Sequence, residues 1–156
     1  MIRLTQLNIG DKAPDFEAET DKEEKIRLSE FKGKSHVVLY FYPKDNTPGC
    51  TKEACSFRDN MARLTPYGIT VLGVSTDSVT SHQRFRDKFD LNFPLISDKS
   101  KEIARTYGVL PRGKQTAQRT TFLIDKEGKI RFIWPKVKVA GHVDEILEKI
   151  QELKLD

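Results

Sequence analysis

Apolar residues in this chain gather in runs short enough for strands and at spacings regular enough for helices. Val37 to Tyr42 is an unbroken aliphatic and aromatic run closed by Pro43, which predicts a buried strand over 36–42. Cys50, Ala54, Phe57, Met61 and Leu64 then recur at alternating intervals of four and three, so they share the core-facing side of a helix expected over 48–64. Arg58, Asp59 and Asn60 fall largely off that side. A strand over 69–75, a helix over 79–90, a short strand at 93–96 and a helix over 100–107 follow. Strands over 119–125 and 129–134 are joined by Asp125–Lys129, where Gly128 is free to take a positive φ. A last helix over 142–153 carries Val143, Ile146, Leu147 and Ile150 on one face, and Trp134 is expected to pack near the sheet edge. Strand and helix alternate after an extended N-terminal region, and a hairpin and helix close the chain. The order fits one α/β domain over 1–156, with a central mixed sheet flanked by helices.

The chemistry concentrates where the first strand hands over to the first helix. The only two cysteines, Cys50 and Cys55, lie there, in the stretch Tyr42-Pro43-Lys44-Asp45-Asn46-Thr47-Pro48-Gly49-Cys50-Thr51-Lys52-Glu53-Ala54-Cys55. Thr47 reads as the N-cap and Pro48 as the first helical residue, since proline loses nothing where the N–H has no partner anyway. Cys50 then falls in the first turn, where free backbone N–H groups and the helix dipole favour an anion. Lys44 and Lys52 add cations close in sequence. Cys50 is therefore expected to be a thiolate nucleophile in a partly shielded pocket.

Cys55 sits about 140° round the helix from Cys50. Helix rise and radius place the two Cα atoms roughly 8.7 Å apart, whereas a disulfide needs less than about 7 Å. The pair cannot bond while the helix is intact, so a Cys50–Cys55 disulfide requires the first turns to unwind. Two other readings of the cysteines compete. One is a pair of inert buried thiols. The other is a zinc site, which would need ligands from His36, His82 and His142, and these are scattered without ligand spacing. No C-x-x-C pair is present, so a thioredoxin-type dithiol motif is not the reading.

The cysteine stretch, continued through Ser56-Phe57-Arg58-Asp59, resembles the active-site segment of the peroxiredoxins, and more narrowly of their bacterioferritin-comigratory-protein (peroxiredoxin Q) branch. The resemblance runs in the family's order through Gly10–Phe16, Leu28–Lys34, Gly73–Asp77, Arg119–Asp125 and Val137–Glu145. It implies a thioredoxin-like fold and a thiol peroxidase. Cys50 matches the peroxidatic cysteine and Cys55 the resolving cysteine. Thr47 matches the hydroxyl that bonds the peroxide, Arg119 the arginine beside the thiolate, and Pro43 the proline that shields the pocket. The implied partners are a peroxide substrate and a dithiol reductant such as thioredoxin, with no metal or organic cofactor. The chemistry is consistent: fixed donors at Arg119, Thr47 and the Cys50 N–H would stabilise charge on the leaving oxygen. A sulfenic acid would then condense with the second thiol.

The chain departs from the family pattern in three places. Tyr107–Gln118 lacks a tryptophan and is short, Thr120 stands where serine is frequent, and Asp21–Lys25 lacks a glycine, which should matter only to a surface hairpin. Composition adds little. The net charge of +4 comes from 27 basic and 23 acidic residues that are interspersed, which reads as a solvated mixed surface and not a nucleic-acid patch. The 32% charged content hints at a thermophile. Neither a membrane span nor a signal peptide is expected, which points to the cytoplasm and to catalytic cysteines. A resolving cysteine in the same helix removes the need for a second subunit, so a monomer is expected, with a weak dimer as the alternative. A holdase of the same fold and a dithiol–disulfide oxidoreductase are the competing functions.

Overall fold

The computed structural model describes residues 5–155. Its elements are β1 (Glu17–Glu19), β2 (Lys25–Arg27), β3 (His36–Phe41), α1 (Pro48–Asp59), α2 (Met61–Leu64), β4 (Ile69–Ser75), α3 (Val79–Phe89), β5 (Leu95–Ser97), α4 (Glu102–Thr106), β6 (Thr120–Ile124), β7 (Ile130–Trp134) and α5 (His142–Leu153). Five strands form one sheet in the order β5-β4-β3-β6-β7. β3 pairs in parallel with β4 and antiparallel with β6, so the sheet is mixed, as expected. All six β3 residues are buried, which is why the sequence there is apolar without alternation.

Alternate β3 side chains feed two cores. Val38 and Tyr40 pack with Phe57 of α1, Phe85 of α3 and Ile146 of α5. Val37, Leu39 and Phe41 pack on the opposite face with Tyr107, Val109 and Phe122. The chain leaves the sheet after Tyr42, whose N–H still bonds the Val74 carbonyl at 3.0 Å. The cysteine segment therefore lies beyond the carboxyl end of a central strand, where open α/β sheets commonly form sites.

The helix expected over 48–64 is broken. Asn60 leaves helical geometry (φ −112°, ψ 9°) and separates α1 from α2. Its N–H turns to the Phe57 carbonyl at 3.1 Å, and its side-chain amide takes the Ser56 carbonyl at 2.7 Å. Leu64 still reaches the core, with Met61 packed partly against it, so the apolar spacing survives the break. α4 is shorter than the expected 100–107: Lys101 turns left-handed (φ 68°), and Asp98 caps the helix by accepting from the Ile103 and Ala104 N–H groups at 3.0 and 2.8 Å. The short strand is displaced to Leu95–Ser97, with Phe93 buried ahead of it. α3 ends at Phe89 because Asp90 turns left-handed (φ 52°). α5 begins and ends where its periodicity predicts.

The glycine-free turn between β1 and β2 bends at Glu23, which takes a φ of 59°. It is more than a surface hairpin. Asp21 is 1% exposed and accepts from the Leu95 N–H at 2.9 Å and from Arg86 at 2.8 Å. The N-terminal extension is thereby fastened to the edge of the sheet and to α3. Among the described residues, no helix is long and apolar enough to cross a membrane.

Candidate active site

Thr47 takes the extended N-cap geometry (φ −97°, ψ 156°), and Pro48 opens α1. The Thr47 carbonyl accepts from the Thr51 N–H at 2.8 Å. Its hydroxyl does not cap the helix; it donates to the Lys44 carbonyl at 2.9 Å. Cys50 thus lies in the first turn and is 2% exposed. Cys55 is half-buried on the same intact helix, and both thiols are free. Pro43 and Thr47, both half-buried, belong to the loop that joins β3 to α1.

The cation at the thiol comes from far along the chain. Arg119 stands just before β6, and its Nη2 donates to Cys50 Sγ at 3.4 Å. Lys44 and Lys52, close in sequence, are exposed. The Arg119 Nη1 donates to Glu53 Oε1 at 2.6 Å. Burial opposes the guanidinium charge, but Glu53 and Cys50 outweigh it and hold Arg119 above the ordinary arginine value. Cys50, Arg119 and Glu53 therefore form one connected group across α1 and the approach to β6.

Three residues of this arrangement escape a reading of the sequence. Glu53 is 1% exposed. Burial pushes its carboxyl up to about 7, against the lowering pull of Arg119, and its Oε2 has no hydrogen-bond partner. The only available signal was its position three residues after Cys50, on the same side of the helix. Gly49 is the second. A Cβ there would lie 3.1 Å from Arg119 Nη2, so the glycine leaves the guanidinium room to pack closely over the helix start. Tyr40 is the third: its ring stacks on Phe57 at 4.6 Å and its hydroxyl is buried without a partner.

Comparison with known proteins gives the family. The AhpC/TSA family model matches residues 9–133. A Coxiella burnetii protein is 51% identical over 150 residues, covering 92% of this chain and 99% of its own. Peroxiredoxin Bcp of Bacillus subtilis is 43% identical, with 94% of this chain and 97% of the relative covered. Among solved structures, a Xylella fastidiosa PrxQ variant superposes with a TM-score of 0.90 at 34% identity, over 96% of this chain and 99% of that one. A Xanthomonas campestris bacterioferritin comigratory protein, studied for its alkyl peroxide reduction activity, gives 0.84 at 36%, over 95% and 98%. With the family model matched over residues 9–133, relatives of 43% and 51% identity over nearly the whole chain and a shared thioredoxin-like sheet, this protein belongs to the AhpC/TSA family as a peroxiredoxin enzyme of the Bcp/peroxiredoxin Q kind.

Proposed function

We propose that this chain reduces hydrogen peroxide and alkyl hydroperoxides through a two-cysteine cycle run by Cys50 and Cys55. The observation that carries this reading is the Arg119 guanidinium 3.4 Å from Cys50 Sγ, with the chain's other thiol in the same helix. The Cys50 thiolate attacks one peroxide oxygen, the O–O bond breaks, and the leaving alkoxide or hydroxide takes up a proton. Arg119 and the Cys50 N–H stabilise the charge that develops on the leaving oxygen. The Thr47 hydrogen is already given to the Lys44 carbonyl, so its oxygen is left to accept from the O–H of the incoming hydroperoxide. Pro43 shields the thiolate from water.

The product is a Cys50 sulfenic acid. The Cys55 thiol condenses with it: the sulfur displaces the sulfenic oxygen, the thiol proton leaves with that oxygen as water, and a disulfide forms. Because both residues lie on α1, the first turns must unwind for the sulfurs to meet. An external dithiol, thioredoxin or a similar carrier, returns the pair to thiols by exchange. A monomer suffices, and a cytoplasmic setting supplies the reductant. Support for the substrate class comes from the alkyl peroxide reduction activity of the Xanthomonas campestris neighbour.

The test is intact mass after one equivalent of hydrogen peroxide, with free thiols alkylated. Loss of two alkylatable thiols without net oxygen gain, traced to one Cys50–Cys55 peptide, is expected. Cys50→Ser abolishes the reaction, and Cys55→Ser stops at the sulfenic acid. A stable oxygen on Cys50 with Cys55 still alkylatable in the unmutated chain would replace this cycle with a one-cysteine mechanism.

A further inference from the structure

The loop that delivers Pro43 and Thr47 is anchored by a buried polar cluster that the chemistry above does not use. At its centre is Asp45, whose side chain is 3% exposed, paired with His82 of α3, which is 0% exposed. Asp45 Oδ1 accepts from the Tyr42 hydroxyl at 2.6 Å. Asp45 Oδ2 accepts from the Ser81 hydroxyl at 2.8 Å and lies 2.7 Å from His82 Nδ1. The other ring nitrogen, Nε2, is 2.9 Å from the Ile96 carbonyl, which can only accept, so Nε2 carries hydrogen. A hydrogen must also lie between Nδ1 and Oδ2, since two facing lone pairs at that distance would repel. The Asp45 backbone N–H donates to Asp77 Oδ2 at 2.8 Å, and Asp77 is held in turn by the Ser75 hydroxyl at 2.7 Å.

Asp45, Asp77 and His82 offer ligand atoms within 4.8 Å of one another, the spacing of a small metal site. Their hydrogen bonds to one another and to Tyr42, Ser75, Ser81 and Ile96 already account for those atoms, so the cluster reads as a clamp. It joins the loop to the end of β4, to the middle of β5 and to the first turn of α3. Burial also pushes the Tyr42 hydroxyl far above the ordinary tyrosine value, so it stays a donor to Asp45. Asp45 precedes the N-cap Thr47 by two residues, so whatever fixes Asp45 fixes where α1 begins.

We propose that the Asp45–His82 pair is a positioning device: it holds the loop and the start of α1 so that Cys50 lies under Arg119, and it thereby sets how readily α1 opens toward Cys55. Neither residue touches the reacting atoms. This rests on the two-cysteine reading, and it makes a claim that a purely structural role does not. Loosening the clamp slows attack on peroxide, which needs the closed helix, and speeds disulfide formation, which needs the open one.

The test is rapid-quench mass spectrometry of the full chain with hydrogen peroxide, resolving the oxygen-bearing species from the disulfide and so yielding both rate constants. Asp45→Ala is expected to lower the peroxide step about 100-fold, the scale of a small misplacement of reacting groups. The variant loses the bonds to Tyr42, Ser81 and His82, and the disulfide step is expected to rise at least about tenfold, the population change from the loss of even one charge-assisted hydrogen bond. Asp45→Asn keeps partners for Tyr42 and His82 and should recover the peroxide step to within about tenfold of the unmutated rate. If Asp45→Ala does not fold, Asp45→Asn still reads the same two opposite shifts at smaller size. Both constants falling together, or neither moving, overturns the proposal. A wild-type chain whose Cys50 ignores peroxide would instead sink the two-cysteine reading, before any variant is compared.

Discussion

α1 and α5 are both helices of twelve residues packed in the same core, yet they bury opposite kinds of side chain. α5 buries His142 and four aliphatic residues, Val143, Ile146, Leu147 and Ile150. Each aliphatic side chain contributes on the order of 1.5–3 kcal/mol by leaving water. α1 buries Cys50, Glu53, Ala54 and Phe57, of which Phe57 alone is a large apolar group. Phe57 stacks on Tyr40 and meets Phe93 and His142 edge-on, so it pins the far half of α1. The near half is held by the polar contacts of Arg119. α5 is filled with hydrocarbon; α1, which the proposed cycle requires to unwind, keeps its opening turns small or polar on the buried side.

The largest expected effect breaks the permanent side of that contrast. Ile146→Ala should cost about 4 kcal/mol in urea unfolding, because it opens a cavity in the packed core. The peroxide rate per folded molecule should stay unchanged. In the unmutated chain, amide exchange at Thr51 to Ala54 should proceed through local opening well below the global unfolding free energy, while Ile146 exchanges only by global unfolding. Equal protection in the two helices would remove the contrast.

A smaller effect sharpens the polar side. Glu53 has a folded-state pKa of about 7, raised by burial from an ordinary 4.5. Between those values the folded chain binds a proton that the unfolded chain has lost. The associated stability is complete below about 4.5 and is lost as pH rises through about 7. Relative to Glu53→Gln, the unmutated chain should therefore lose up to about 3 kcal/mol across that window, measured by urea unfolding at its two ends. A difference that stays flat or grows with pH would mean that Arg119 fully compensates the buried carboxylate.

The smallest effect concerns the contact at Gly49. Gly49→Ala would put a methyl group 3.1 Å from Arg119 Nη2, so the guanidinium must give by a few tenths of an ångström. A peroxide rate about tenfold lower is expected, with stability changed by less than about 1 kcal/mol. An unchanged second-order rate would mean that Arg119 has room to move without leaving the thiol.

Much of this was legible in the residues themselves. The unbroken apolar run of β3 and the aliphatic face of α5 announce their elements because hydrocarbon burial alone decides them. The cysteine segment was legible because a cap, a proline and a thiol at fixed offsets have few other uses. Glu53 was not, since a charged residue on a core-facing side becomes intelligible only once Arg119, 66 positions away, is seen beside it. His82 invited a weighing as a metal ligand, because nothing local reveals that its ring lies between a carboxylate and a carbonyl. The break at Asn60 was hidden by Met61 and Leu64, which keep the apolar rhythm across it.

In the proposed two-cysteine cycle, the way α1 is tied at its two ends sets the kinetics of opening. Asp45 fastens the chain ahead of α1 and Phe57 fastens it behind, so an opened segment is a short loop with both ends tied. Closing a loop of about ten residues takes on the order of 10–100 ns, and helix–coil relaxation about 0.1–1 μs. Once the turns let go, the two sulfurs therefore find each other far faster than sulfur chemistry consumes them. The rate of the proposed disulfide step is then governed by how often the segment opens and by the reactivity of the Cys55 thiol, never by a search through space.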